Sequence, residues 1–67
     1  MKITNIKFEA QATYSNGTTS SLRWFATEKA MSKWANAQFR KDEGVTVQVW
    51  NGFGGFVNND LFCTYHA

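Results

Sequence analysis

The chain contains no proline, a single cysteine and few charged residues. Only 18% of its 67 residues are charged, and the formal net charge is +2. A lone cysteine, Cys63, cannot form an internal disulfide, which excludes the cross-linked scaffolds typical of small secreted domains. A net charge this small and positive excludes a protein that imitates DNA by acidity. The absence of proline favours regular structure joined by glycine and asparagine turns.

Long apolar runs are also missing. The first residues alternate between polar and apolar side chains and lack the continuous apolar stretch of a signal peptide, and no run is long enough for a membrane span. Together with the lone cysteine, this predicts a protein of the reducing cytoplasm with no membrane partner. The hydrophobic fraction of 43% indicates a folded chain. The length predicts one domain, residues 1–67, whose core is thin.

The first third of the chain has the pattern of a β-hairpin. A three-residue loop, Ser15–Gly17, pairs Ala10 with Leu22 and directs Trp24 towards the apolar side. A two-residue loop would instead pair Ala10 with Arg23 and direct Trp24 to solvent. Since a slip of one residue turns every side chain to the other face, the hydrophobic pattern favours the three-residue loop.

An amphipathic helix is predicted next. Thr27 is suited to cap its N-terminus, and the helix should run from about Glu28 to Asp42 and stop near Gly44. Gln38 falls within its apolar stripe. It is either buried with a hydrogen bond to backbone or placed at the rim by a rotation of the stripe.

Two further strands are predicted at 45–50 and 61–66, where apolar and polar residues alternate. The segment between them, Asn51–Asp60, is either a ten-residue loop or a pair of strand extensions around a tight turn. The order β-β-α-β-β predicts an α+β fold, a four-stranded, mainly antiparallel sheet with one helix on one face. The predicted core comprises Ile6, Phe8, Leu22, Trp24, Met31, Trp34, Val47, Val49, Leu61 and Cys63.

No set of residues suggests catalysis or cofactor binding. The only histidine, His66, stands next to the last residue, and no nucleophile, base and orienting group can be assembled around it. Cys63 and His66 have a spacing that directs them to opposite faces of a strand, and a structural zinc site needs four ligands. We therefore expect no enzyme activity, no cofactor and no metal.

Large aromatic residues are more abundant than a small core obviously needs. The sheet face opposite the helix should expose several of them, and aromatic and arginine side chains are common anchors of protein interfaces. The glycine-rich segment presents further phenylalanines on an adaptable backbone. The predicted partner-binding residues are Arg23, Phe25, Trp50, Phe53, Phe56 and Phe62.

A basic row along the helix supports an alternative. Lys29, Lys33 and Arg40 share the helix face opposite the apolar stripe, where they could contact phosphates. With Arg23, Trp50 or Phe53 near bases, the chain would be a small nucleic-acid-binding module. The more common meaning of such a row is a solvated helix face.

As a whole, the chain is similar in type to small phage-encoded inhibitors of host defence, such as anti-CRISPR proteins. The similarity rests on the length of 67 residues, the lone Cys63, the absence of a signal and the absence of a catalytic set. It implies a non-enzymatic protein that binds a bacterial protein or ribonucleoprotein complex and blocks it sterically. The site of action would be the host bacterial cytoplasm, and the inhibitor itself would be a monomer or a homodimer.

Overall fold

Four antiparallel strands form a sheet in the order β2-β1-β3-β4. The computed structural model describes residues 6–66. The elements are β1 (Phe8–Thr13), β2 (Arg23–Phe25), α1 (Glu28–Lys41), β3 (Thr46–Asn51), α2 (Gly55–Asn58) and β4 (Leu61–His66). The predicted α+β class is confirmed, with one main helix on the sheet. Neither helix in residues 6–66 has the length and apolar character needed to cross a membrane.

The hairpin of β1 and β2 changes register along its length. At the tip, Tyr14 N–H donates to Thr18 O at 2.8 Å, and Gly17 has a φ of 88°. Both features belong to the three-residue loop that the sequence predicts, in which the last position is left-handed. Further from the tip, however, Ala10 lies opposite Arg23. That pairing is the one expected for the rejected two-residue loop.

One extra residue before β2 produces this change. From the Thr13–Thr19 bridge to the next paired positions, β1 advances three residues and the returning chain advances four. Ser20 lies in the irregular stretch, where its Oγ accepts a hydrogen bond from Ala12 N–H at 3.0 Å. Its carbonyl oxygen accepts a bond from the Gln11 side chain at 3.1 Å. The side-chain bonds thus replace regular ladder bonds and allow the slip.

The slip exchanges the predicted roles of two adjacent aromatic residues. Phe25 is 9% exposed and packs against Trp34, with ring centroids 5.7 Å apart. Trp24 is 38% exposed and lies on the opposite face of the sheet. The prediction that Trp24 belongs to the core and that Phe25 faces outward is therefore wrong.

Helix α1 covers one face of the sheet. Thr27 is its N-cap, as predicted, and Thr27 Oγ1 accepts a hydrogen bond from Ala30 N–H at 3.2 Å. The helix ends at Lys41, one residue before the predicted end, and Asp42 is extended. Gly44 is not a left-handed cap; its N–H donates to Asp42 Oδ1 at 2.9 Å.

Gln38 is buried within the apolar stripe of α1, as one of the two interpretations expected. Its Oε1 accepts a hydrogen bond from the Tyr14 hydroxyl at 2.7 Å, and its Nε2 donates to Trp34 O at 3.4 Å. Those two bonds satisfy a polar group that burial would otherwise penalise.

The core lies between α1 and the sheet and is built mainly from small and β-branched residues. Met31, Val47 and Val49 are buried as predicted, whereas Leu61 is exposed and Phe8, Trp34 and Cys63 are only partly covered. The buried set is Ala10, Ala12, Phe25, Met31, Ala35, Val45, Val47 and Val49.

Candidate interaction surface

The segment between β3 and β4 is neither a plain loop nor a strand extension. It contains the short helix α2, which packs on the sheet face opposite α1. Gly55 lies so close to Trp50 that a Cβ added at residue 55 would stand 2.7 Å from Trp50 Cβ. The Phe56 ring meets the Trp50 ring edge to face at 5.0 Å. Trp50 is consequently buried, with 5% of its surface exposed.

A single carboxylate fixes α2 on the sheet. Glu9 Oε1 accepts a hydrogen bond from Phe56 N–H at 2.9 Å, and Oε2 accepts one from Gly54 N–H at 3.1 Å. The Trp24 indole Nε1–H donates to the same Oε2 at 2.6 Å. Glu9 therefore connects β1, β2 and the start of α2 while being only 2% exposed.

The surroundings of Glu9 favour its charged form. Burial by itself raises the pKa of Glu9, but the hydrogen bonds from Phe56, Trp24 and Gly54 stabilise the carboxylate and hold the pKa below its usual value. The three hydrogen bonds together outweigh the cost of burial. Glu9 is thus ionised at neutral pH and acts as a structural anchor.

Around this anchor, several large apolar side chains face solvent. Phe53 is 70% exposed and rests against Trp24, with ring centroids 5.7 Å apart. Phe56 and Val57 project from α2, and Leu61 lies opposite Trp50 in the adjoining strand. We call this set the aromatic surface: Trp24, Phe53, Phe56, Val57 and Leu61.

The aromatic surface is apolar and has no charged member. The nearest carboxylate, Glu9, is covered and fully hydrogen-bonded. No pocket is present among residues 6–66, and those residues hold no cluster of three or more potential metal ligands. What the surface offers is a set of exposed rings on a fixed backbone, which is the chemistry of a protein contact.

The structure distributes the predicted partner-binding residues over several places. Phe53 and Phe56 belong to the aromatic surface and are exposed as expected. Trp50 and Phe25 were expected at the surface, but that expectation is wrong. Trp50 is covered by α2, and Phe25 is turned inward by the register slip.

Phe62 is exposed but separate from the aromatic surface. The pairing of β3 with β4 shifts between Val49 and Trp50, so that Phe62 is an extra residue in β4. Its ring meets that of Phe8 at 5.6 Å, next to the core on the α1 side. Arg23 also lies on the α1 side, where its guanidinium stands 5.9 Å from the centre of the Trp34 ring.

The basic row of α1 faces solvent, as its spacing predicts. Lys29, Lys33 and Arg40 are all exposed. They lie on the far side of the sheet from Phe53, because α1 and α2 cover opposite faces. The fold therefore does not bring this row close to Trp50 or Phe53, as the nucleic-acid-binding alternative would require.

Sequence reasoning missed Glu9, Trp24 and α2. Alternation placed Glu9 on the polar face of β1 without indicating a partner, because its three donors come from β2 and from a segment without a clear pattern. Asn51–Asp60 carries no helical periodicity long enough to be recognised. Comparisons with protein-family models, with curated proteins and with solved structures gave no match to this chain.

Proposed function

We propose that the protein is a non-enzymatic inhibitor that binds a bacterial protein or ribonucleoprotein complex through its aromatic surface and blocks that complex sterically. The observation that carries this proposal is the exposure of Phe53 and Val57, at 70% and 80%, on a segment anchored by Glu9. Large apolar side chains that are exposed near one another commonly mark a site of protein contact.

Anchoring of the segment favours binding. The hydrogen bonds of Glu9 hold Gly54 and Phe56, so the backbone beneath the aromatic surface is ordered before a partner arrives. Less conformational entropy is then lost on association. Aromatic side chains each bury ~150–250 Å², so a few of them supply most of a contact.

The chemistry of the surface supports a protein as the partner. An uncharged patch of rings fits an apolar depression on a protein, and shape rather than charge would select it. The small positive charge of the whole chain agrees with a neutral or acidic protein surface around that depression. The anti-CRISPR type of inhibitor acts in this way in the bacterial cytoplasm, where we place the protein.

A plaque assay tests the proposal. Bacteria that carry an active CRISPR–Cas system and express the protein are challenged with a phage that the system targets, in a panel covering the known system types. The wild-type chain should restore plaques on at least one strain. The double variant Phe53→Ser with Val57→Ser should not, whereas Lys29→Ser with Lys33→Ser should behave as wild type. If the wild-type chain restores plaques on none of the strains, the inhibitory function is contradicted.

The nucleic-acid alternative makes a different prediction. Binding through Lys29, Lys33 and Arg40 would fall steeply with salt, because it releases counterions from phosphates. Fluorescence polarisation of labelled single-stranded RNA and double-stranded DNA, measured at ~50 mM salt where phosphate contacts are strong, distinguishes the two. We expect no binding. Tight, salt-sensitive binding that is lost in Lys29→Ser with Lys33→Ser would favour the alternative.

A further inference from the structure

Trp24 differs from the other two tryptophans, because its side chain is exposed and carries no cation. Trp50 is buried by α2, and Trp34 is covered in part by Arg23, whose guanidinium carbon lies 5.9 Å from the ring centre. That contact is the one cation–π pair among residues 6–66. Trp24 is 38% exposed, and tryptophan is the side chain whose ring face attracts a cation most strongly.

The hydrogen bond from Trp24 to Glu9 makes the indole ring a better acceptor of positive charge. Trp24 Nε1–H donates to Glu9 Oε2 at 2.6 Å, a bond assisted by the charge of the carboxylate. A donor that bonds to an anion is polarised, so electron density moves from its N–H group towards the ring. The attraction between a ring face and a cation increases with that density.

Glu9 also places a negative charge beneath the aromatic surface. Within the described part of the chain its three donors are the backbone N–H groups of Gly54 and Phe56 and the indole of Trp24, all of them uncharged. Lys7, the cation nearest to Glu9 in the sequence, is exposed to solvent, where its charge is screened. Buried charges in proteins are commonly paired with an opposite charge. A cation brought to these rings by a partner would therefore meet a favourable field.

Phe53 adds a second ring to the same place. The ring centroids of Phe53 and Trp24 are 5.7 Å apart, and the ring planes are inclined at 42°. An inclined pair leaves part of each ring face uncovered, unlike a parallel stack. Phe53 is 70% exposed, but the next residue, Gly54, is held by its hydrogen bond to Glu9 at 3.1 Å. The second ring is thus placed beside the first before a partner binds.

We propose that Trp24 and Phe53 receive the guanidinium group of an arginine side chain of the partner protein. This inference rests on the proposed function and adds one charged group to a contact that shape otherwise selects. Arginine is favoured over lysine because its planar group stacks on rings and is more weakly hydrated. The chain itself uses such a pair on the α1 side of the sheet, where Arg23 lies over Trp34.

The openness of the site determines how strongly a single arginine can bind. Residues 6–66 form no pocket, so the guanidinium would keep part of its contact with water. On an exposed ring, a cation binds roughly 2- to 30-fold more tightly than a neutral group of the same shape. The main effect is therefore on the choice of partner: a protein with arginine at this point of the contact is preferred to one with a neutral side chain there.

Two small probes, acetyl-arginine amide and acetyl-citrulline amide, test the role of charge. They have nearly the same shape, but the ureido group of citrulline is neutral. Each is titrated into the ¹⁵N-labelled protein, whose three tryptophans provide three indole N–H signals. The Trp24 signal should shift with the arginine probe, at an affinity roughly 2- to 30-fold above that for the citrulline probe. The signals of Trp34 and Trp50 should remain in place.

A pair of matched variants locates the site. Phe53→Leu replaces an exposed ring by an apolar side chain without π electrons, and it should remove most of the preference for arginine. Phe62→Leu makes the same change at an exposed ring outside the aromatic surface and should keep the preference. Substitutions at such exposed positions change stability little, so both proteins should fold.

Several results would overturn the proposal. They are equal affinities for the two probes, no shift of the Trp24 signal with the arginine probe, or a preference for arginine that Phe53→Leu leaves unchanged or that Phe62→Leu removes equally. These titrations involve no phage and no partner, so their failure is distinct from failure of the plaque assay. A chain that restores plaques without distinguishing the probes would act through its aromatic surface but without an arginine.

Discussion

Replacing Glu9 by glutamine removes the charge on which three hydrogen-bond donors converge. Trp24 Nε1 and Gly54 N donate to one carboxylate oxygen, and Phe56 N donates to the other. A glutamine has one accepting oxygen, so it can serve either the first two donors or the third. The NH₂ group of the glutamine, which is itself a donor, then faces the remaining N–H groups and cannot accept hydrogen bonds from them. An unsatisfied buried donor costs about 1–3 kcal/mol.

We therefore expect Glu9→Gln to lower the free energy of unfolding by about 2 kcal/mol at neutral pH. For a domain of this size that corresponds to a fall in Tm of roughly 8–16 °C. The amides of Gly54 and Phe56 should also exchange faster with solvent, because the carboxylate is their hydrogen-bond acceptor. Glu43→Gln makes the same chemical change at an exposed position and should change stability by less than about 0.5 kcal/mol.

The pH dependence of the difference between wild type and Glu9→Gln provides a second test. The folded-state pKa of Glu9 lies below its usual value of 4.5. A lowered pKa contributes stability that is present above the unfolded pKa and is lost as pH falls through the folded pKa. Glutamine does not titrate, so the difference should shrink on acidification. Asp42, whose pKa is also lowered by its bonds with Ser15 and Gly44, affects both proteins equally.

Urea unfolding followed by tryptophan fluorescence measures both effects, at about pH 7 and about pH 3, on either side of the carboxyl titration. The reasoning is refuted if Glu9→Gln costs no more than Glu43→Gln at neutral pH. It is also refuted if the cost is the same at both pH values, since the charge of Glu9 would then have no part in it.

Three further substitutions examine the packing, each by urea unfolding. Gly55→Ala should destabilise by about 1–3 kcal/mol, because the new Cβ would stand 2.7 Å from Trp50 Cβ; an unchanged midpoint would mean that α2 does not rest on the sheet. Phe25→Ala should cost about 3–5 kcal/mol and Phe53→Ala less than about 0.5, and the reverse order would contradict the register slip. Thr27→Ala should cost about 1 kcal/mol through loss of the N-cap, and an unchanged midpoint would contradict that cap.

Local signals in the sequence were sufficient to predict the four strands and helix α1. The alternation in β1, the cap at Thr27 and the valines of β3 each predicted their element correctly. The hairpin tip was also predicted, since Gly17 is the left-handed residue that the three-residue loop needs. These features depend on residues that are close together in the chain, where sequence patterns are informative.

Properties that depend on contacts between distant segments were not predictable. The register slip arises because the hydroxyl and carbonyl groups of Ser20 bond to Ala12 and Gln11, and a serine in a polar stretch gives no sign of such bonds. One slipped residue was enough to exchange Trp24 and Phe25.

The candidate interaction surface could not be predicted from the sequence for a similar reason. Glu9 and Phe56 are far apart in sequence, and α2 is held by that contact and by the close approach of Gly55 to Trp50 rather than by its own helical pattern. The abundance of aromatic residues did indicate an exposed group. Which rings are exposed could be learned only from the fold.

The most direct test of the aromatic surface is a comparative capture experiment. Tagged wild type, Phe53→Ser with Val57→Ser, and Lys29→Ser with Lys33→Ser are each incubated with the same bacterial lysate, and each bound protein is quantified by mass spectrometry. We predict a partner that wild type and the lysine variant recover equally and that the Phe53–Val57 variant loses while remaining folded. Equal recovery of every bound protein by all three, or loss only in the lysine variant, would contradict binding through the aromatic surface.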